Sequence, residues 1–172
     1  MKKMALFVFV FLFVSEVGFS ASISFFIGKV NVKKNNIWIK AKRGIILNNN
    51  DAIKTGKNSM VILTLKRGSN IKLRENSSIV LENTGTKRVE SVSLRLLKGS
   101  VFSKVLRRKT GELFNVKAGT LVVAVRGTEF FVAQEKLSKK TKDLWVCVNE
   151  GSIDIIRTTD GKSVIIPEGK GI

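Results

Sequence analysis

Residues 118–134 read Ala-Gly-Thr-Leu-Val-Val-Ala-Val-Arg-Gly-Thr-Glu-Phe-Phe-Val-Ala-Gln, the longest β-branched and aromatic run outside the N-terminus. Such side chains favour a pleated backbone. Leu121, Val123 and Val125 alternate with Val122 and Ala124, so both faces of a strand here are apolar. A strand of that kind belongs in the middle of a sheet, covered on both sides, and the run predicts a buried strand pair. Into it are set Arg126, Gly127, Thr128 and Glu129, two opposite charges three residues apart. On a regular strand those charges point to opposite faces. An extra residue at Gly127 would bring Arg126 and Glu129 to one side. The expected role of the motif is then an internal ion pair, because buried charges are held by partners. The alternative is a guanidinium fork open to a ligand carboxylate or phosphate.

The rest of the chain follows the same grammar. Short alternating or apolar runs predict strands at 23–32, 37–40, 60–65, 70–73, 78–81, 92–97, 100–106, 113–116, 121–125, 129–134, 144–148, 152–155 and 163–166. Between them lie turn residues, notably Asp51, Lys54-Thr55-Gly56, Arg67-Gly68-Ser69, Lys98-Gly99-Ser100, Asn149-Glu150-Gly151 and Asp160-Gly161. Gly-Ser recurs at 68, 99 and 151 with unequal spacing, which predicts independent turns and not stacked repeats. The reading is an all-β domain, a jelly-roll-like antiparallel β-sandwich of many short strands. At 172 residues and 44% hydrophobic content the chain suffices for one buried core.

Ala124-Val-Arg-Gly-Thr-Glu-Phe-Phe-Val132 resembles the most characteristic motif of the FecR domain, an extracytoplasmic β-rich domain of bacteria. The likeness extends to Asp51-Ala-Ile-Lys-Thr55-Gly56, to the hairpin around Gly68-Ser69, to Leu96-Leu-Lys-Gly99-Ser-Val101 and to Val148-Asn-Glu-Gly151-Ser-Ile153. The motifs occur in the family's order and span roughly residues 28–171. The resemblance implies a sandwich fold. Better-known members sense a signal outside the cytoplasm and control a sigma factor through a cytoplasmic segment and one membrane helix. This sequence departs from that pattern, since nothing expected to reach a sigma factor precedes its apolar N-terminal run.

That run begins with Lys2 and Lys3, continues apolar from 4 to 14, and gives way to Gly18 and Ser20. It predicts a signal peptide over residues 1–20 and an exported domain over 21–172. A bilayer span takes roughly 20 apolar residues, so the run is short for one; an uncleaved anchor is the alternative. Removing residues 1–20 takes away two Lys and one Glu, leaving 29 basic and 12 acidic residues, a net charge of +17. Arg107, Arg108, Lys109, Lys136, Lys139 and Lys140 are the candidate anion contacts. Export, the lack of aromatics among these clusters and the absence of a predicted recognition helix count against nucleic acid. An envelope protein or anionic envelope polymer is the expected partner, with peripheral membrane contact a further expectation; a solvated basic surface with no partner is the plain alternative.

The chemistry available is narrow. With no His and one Cys, the chain lacks the residues of a usual zinc site, a Ser-His-Asp triad or a Cys-His pair, and it cannot form an internal disulfide. No metal or cofactor is expected. Glu75, Glu129 and Glu150 show no spacing suited to paired acid/base work. Cys147, Trp38 and Trp145 are expected to pack in the core. The functional expectation is an exported, non-catalytic binding or scaffold module; the alternative is the periplasmic sensor half of a signalling system with a separate membrane partner.

Overall fold

The computed structural model describes residues 21–65, 68–83, 91–106, 113–136 and 142–172. These residues form fifteen strands: β1 (Ala21–Ile27), β2 (Val30–Lys34), β3 (Ile37–Lys40), β4 (Ile46–Leu47), β5 (Ala52–Thr55), β6 (Met60–Leu65), β7 (Asn70–Leu73), β8 (Ser78–Asn83), β9 (Val92–Val105), β10 (Phe114–Ala118), β11 (Leu121–Val125), β12 (Thr128–Lys136), β13 (Lys142–Glu150), β14 (Ser152–Arg157) and β15 (Ser163–Pro167). The fold is all-β, as the turn spacing predicts. No helix among the described residues is long and apolar enough to cross a membrane.

One strand, β9, joins two half-sheets. Its first part pairs with β8 and β10, and its second part with β7 and β12. One half-sheet runs β4-β1-β6-β7-β9-β12-β13, and the other runs β3-β2-β5-β8-β9-β10-β11-β14-β15. Pairing is antiparallel except between β9 and β10, which run parallel in register Val92↔Phe114 to Leu96↔Ala118. The inward residues of both halves make one core, including Ile23, Val61, Ile71, Val101, Phe130 and Val146 from the first and Val32, Ile53, Ile79, Leu94, Phe114 and Val123 from the second. Phe114 and Phe130 meet edge to face across the layers, with centroids 6.1 Å apart.

The chain passes between the halves at corners built from Gly and a buried hydroxyl. Gly28 has φ 74°, and a Cβ there would lie 2.4 Å from Ser59 Oγ. That hydroxyl accepts the Lys29 N–H at 2.8 Å and donates to Lys57 O at 2.9 Å. Gly99 repeats the device within β9: φ is 82°, and a Cβ would meet Ser77 Oγ at 2.4 Å. Ser77 Oγ accepts the Ser100 N–H at 2.9 Å and lies 3.1 Å from Glu75 O. Both serines follow an asparagine of positive φ, Asn58 and Asn76, a conformation Asn tolerates better than most residues.

These corners correct three strand expectations. The predicted strand 23–32 is two strands, broken at Gly28 where the chain changes half-sheet. The predicted pair 92–97 and 100–106 is the single strand β9, because Gly99 kinks it without ending it. Lys54 and Thr55 belong to β5 and not to a turn, since Ala52–Thr55 pairs with β2. A fourth correction concerns β11 and β12. They are not a hairpin pair: β11 bonds to β10 and β14 in one half-sheet, and β12 to β9 and β13 in the other.

Candidate functional site

The step from β11 to β12 is itself such a corner, and it carries Arg126-Gly127-Thr128-Glu129. Opposite it stands the step from β13 to β14, with Gly151 at φ 87° and only 3.0 Å between its missing Cβ and Gly127 O. Thr128, buried, donates from Oγ1 to Ser152 O at 2.9 Å and ties the two corners together. Between them and the end of β9 opens a groove of about 480 Å³, whose lining includes Lys104, Leu106, Arg126, Glu129 and Glu150.

The charges in this groove are not paired as the sequence suggests. Arg126 is exposed and makes no ion pair with Glu129. The expected extra residue is not at Gly127 either. The register of β12 on β13 slips between Glu129 and Phe130, which leaves Asn149 as the unmatched residue. Glu129 instead lies beside Lys104 of β9, its cross-strand neighbour, with Nζ 3.0 Å from Oε2. Asn149 Nδ2 donates to Oε1 at 2.7 Å. The physical reason is register: Lys104 and Glu129 sit directly opposite on adjacent strands, where side chains meet, while Arg126 lies beyond the sheet edge of the turn.

This pairing sets the ionisation of the site. The hydrogen bond from Lys104 lowers the Glu129 carboxyl below the usual carboxylate range, against an opposing effect of partial burial, with Asn149 adding to the lowering. The hydrogen bond to Glu129 raises Lys104 in turn. A carboxylate lowered on folding contributes stability above its unfolded pKa, and that contribution is lost as pH falls through the folded pKa. Thermal unfolding of the native protein and Glu129→Gln, compared from about pH 6 to pH 3, is expected to show the native advantage shrinking toward acid. Parallel curves would mean that the pair contributes nothing. The effect should be modest, since Lys104 is exposed and such pairs are weak.

Glu129 also faces Glu150 in register across β13. The sequence shows no such pairing of carboxylates, and the structure brings the two to one groove. Glu129 is held ionised by Lys104, which suits it to fixing a neighbour and not to donating a proton.

The remaining predicted turn residues are structural in this fold. Asp51 is buried; its Oδ2 accepts the Asn48 N–H at 2.9 Å and lies 3.7 Å from Lys34 Nζ. Thr55 Oγ1 donates to Arg74 O at 2.6 Å and accepts the Ser77 N–H at 3.0 Å. Gly56 donates its N–H to Lys29 O at 2.9 Å. Gly68, at φ 83°, precedes Ser69, whose Oγ accepts the Leu106 N–H at 3.0 Å. None of these residues lines the groove, whereas Gly151 does.

Arg107, Arg108, Lys109, Lys139 and Lys140 lie outside the described residues, as does the predicted signal peptide; Lys136 closes β12. Three packing expectations are overturned. Cys147 is exposed, and Trp38 and Trp145 are 42% and 57% exposed, because each stands on the solvent side of its half-sheet. Lys54 Nζ caps Trp38, 4.0 Å from a ring centroid. Sequence reasoning also missed Glu82, which gathers Arg95 and Lys117, the latter at 2.8 Å. Burial opposes ionisation of Glu82, but hydrogen bonds from Lys117 and Arg95 outweigh it and the carboxyl titrates low. Arg95 and Lys117 are thereby engaged within the domain.

A family model described as FecR protein matches residues 51–154. Two crystal structures of a "putative anti-sigma factor" from Parabacteroides distasonis ATCC 8503 align with TM-scores of 0.48 and 0.49 at 20% identity, over 68% of this chain and 59% of theirs. The chain therefore spans less than two thirds of those proteins. No curated protein matches it. The family match takes in the Asp51 turn, the Gly99 corner and the groove motif, more than half of the chain, and the chain belongs to the FecR family.

Proposed function

We propose that this domain is an exported, non-catalytic recognition module of the bacterial envelope, acting as the sensor half of a signalling system with a separate membrane partner. Residues 1–20 serve as its signal peptide. Family membership supports sensing, and the groove at the β11–β12 corner supports recognition there. The carrying observation is Arg126: its guanidinium is exposed at the groove while the neighbouring Glu129 is taken by Lys104 and Asn149. An Arg so placed offers a planar fork of donors to a partner's carboxylate or phosphate. The net charge of +17 after export favours a second reading, a scaffold held on anionic envelope polymer by long-range attraction.

Capture from the native envelope separates the two, with the native protein and Arg126→Ala as parallel baits. A membrane protein recovered by the native bait and lost with Arg126→Ala is the expected result. Anionic polysaccharide recovered equally by both baits, and released near 1 M salt where the Debye length is about 3 Å, would establish the scaffold reading instead. The intact mass of the exported protein is expected to begin at Ala21.

A further inference from the structure

The solvent side of the half-sheet containing β1, β6, β7, β9, β12 and β13 carries an apolar row in continuous register. Phe25 pairs with Ile62, Ile62 with Lys72, Lys72 with Phe102, Phe102 with Phe131, and Phe131 with Cys147. Beside this line stand Ile27, paired with Met60, and Trp145, paired with Ala133. The register slip between Ile23 and Phe25 turns Phe25 and Ile27 outward while Ile23 stays in the core. Phe25 is 39% exposed, Ile27 51% and Trp145 57%. Apolar surface collected into one strip, and not scattered, marks an interaction face.

The strip has a shape and one charge. It crosses six strands, so its length is about 24 Å at roughly 4.8 Å between strands. That is the length of an α-helix of about 16 residues at 1.5 Å rise. Its width, one to two side chains, is that of the apolar stripe on an amphipathic helix. Lys72 interrupts the strip in the middle, exposed and with no ion pair to a described residue. A second copy laid face to face would set Lys72 near Lys72 in a chain already strongly positive, and like charges oppose that. An anionic bilayer suits Lys72 but meets Glu135 and Asp143, paired opposite each other at the Trp145 end.

We propose that this face docks an amphipathic helix of a partner protein, laid across the strands, with an acidic residue near its middle engaging Lys72. The strip adjoins the Arg126 groove, since Lys104 and Glu129 are the next pair beyond Phe102 and Phe131 on the same face, but none of its own residues lines that groove and the proposal stands without it.

The test uses a synthetic helical peptide of about 16 residues, with a leucine stripe and a central Glu, titrated into the protein while Trp fluorescence and backbone amide shifts are followed. Binding is expected below about 1 mM, with shifts on β7, β9 and β12. Exchanging the central Glu for Lys should weaken it about tenfold, and Lys72→Glu should restore the Lys peptide and reject the Glu peptide. Trp145→Ser should weaken both without unfolding the protein, as circular dichroism would check, and Arg126→Ala should change neither. No saturation at about 1 mM, or binding indifferent to Lys72→Glu and Trp145→Ser, would overturn the proposal. Concentration-dependent dimerisation or binding to anionic lipid vesicles that Trp145→Ser abolishes, with the peptide inert, would overturn it in favour of those occupants.

Discussion

Gly99→Ala is expected to destabilise the domain by more than about 3 kcal/mol, a large fraction of the stability of an ordinary domain. Two causes add. Ala at φ 82° is strained, at a cost of order 1 kcal/mol or more. Its Cβ would also lie 2.6 Å from Ser77 Cα, a contact that only backbone movement relieves. Ser77 cannot move cheaply, because its hydroxyl holds Ser100 and its N–H is taken by Thr55. Denaturant unfolding of Gly99→Ala against Gly161→Ala provides the comparison. Gly161 has φ 70° and open space around it, so its substitution carries the strain without the clash. Equal losses at both positions would show that the Ser77 latch contributes nothing.

Phe130→Ala is expected to cost about 3–5 kcal/mol, as for other large core truncations. Phe130 is fully buried on β12 and is the edge-to-face partner of Phe114 from the opposite half-sheet. The double variant with Phe114→Ala should lose less than the sum of the single changes, because each deletion already enlarges the same cavity. Strict additivity would mean that the two rings act independently.

Much of the fold is written in local pattern. The predicted strands 37–40, 60–65, 70–73 and 121–125 coincide with β3, β6, β7 and β11, because turn residues with a strong backbone preference bound each one. Gly99 is legible in the sequence as a special position but not as a kink inside a strand. Which it becomes depends on Ser77, twenty-two residues away. The Arg126–Glu129 assignment shows the same limit more sharply. Local spacing relates charges along one strand, whereas Glu129 finds its cation on β9 and its amide on β13. Trp145 and Cys147 read as core in the sequence because one-dimensional alternation identifies two faces without saying which faces solvent. Val146 and Val148, on the other face, are the buried ones.

Because β9 alone carries hydrogen-bond ladders into both half-sheets among the described residues, the domain has a keystone and not a seam. β7 and β12 hold residues 99–105 of the strand while β8 and β10 hold residues 92–98, so one strand is fastened into both layers at separate places. An event at the Lys104 end is thereby joined through a single unbroken backbone to strands on the far side of the core. The corner groove at Lys104 and the parallel pair at Val92 therefore lie on one strand, and the two layers share a single structural element.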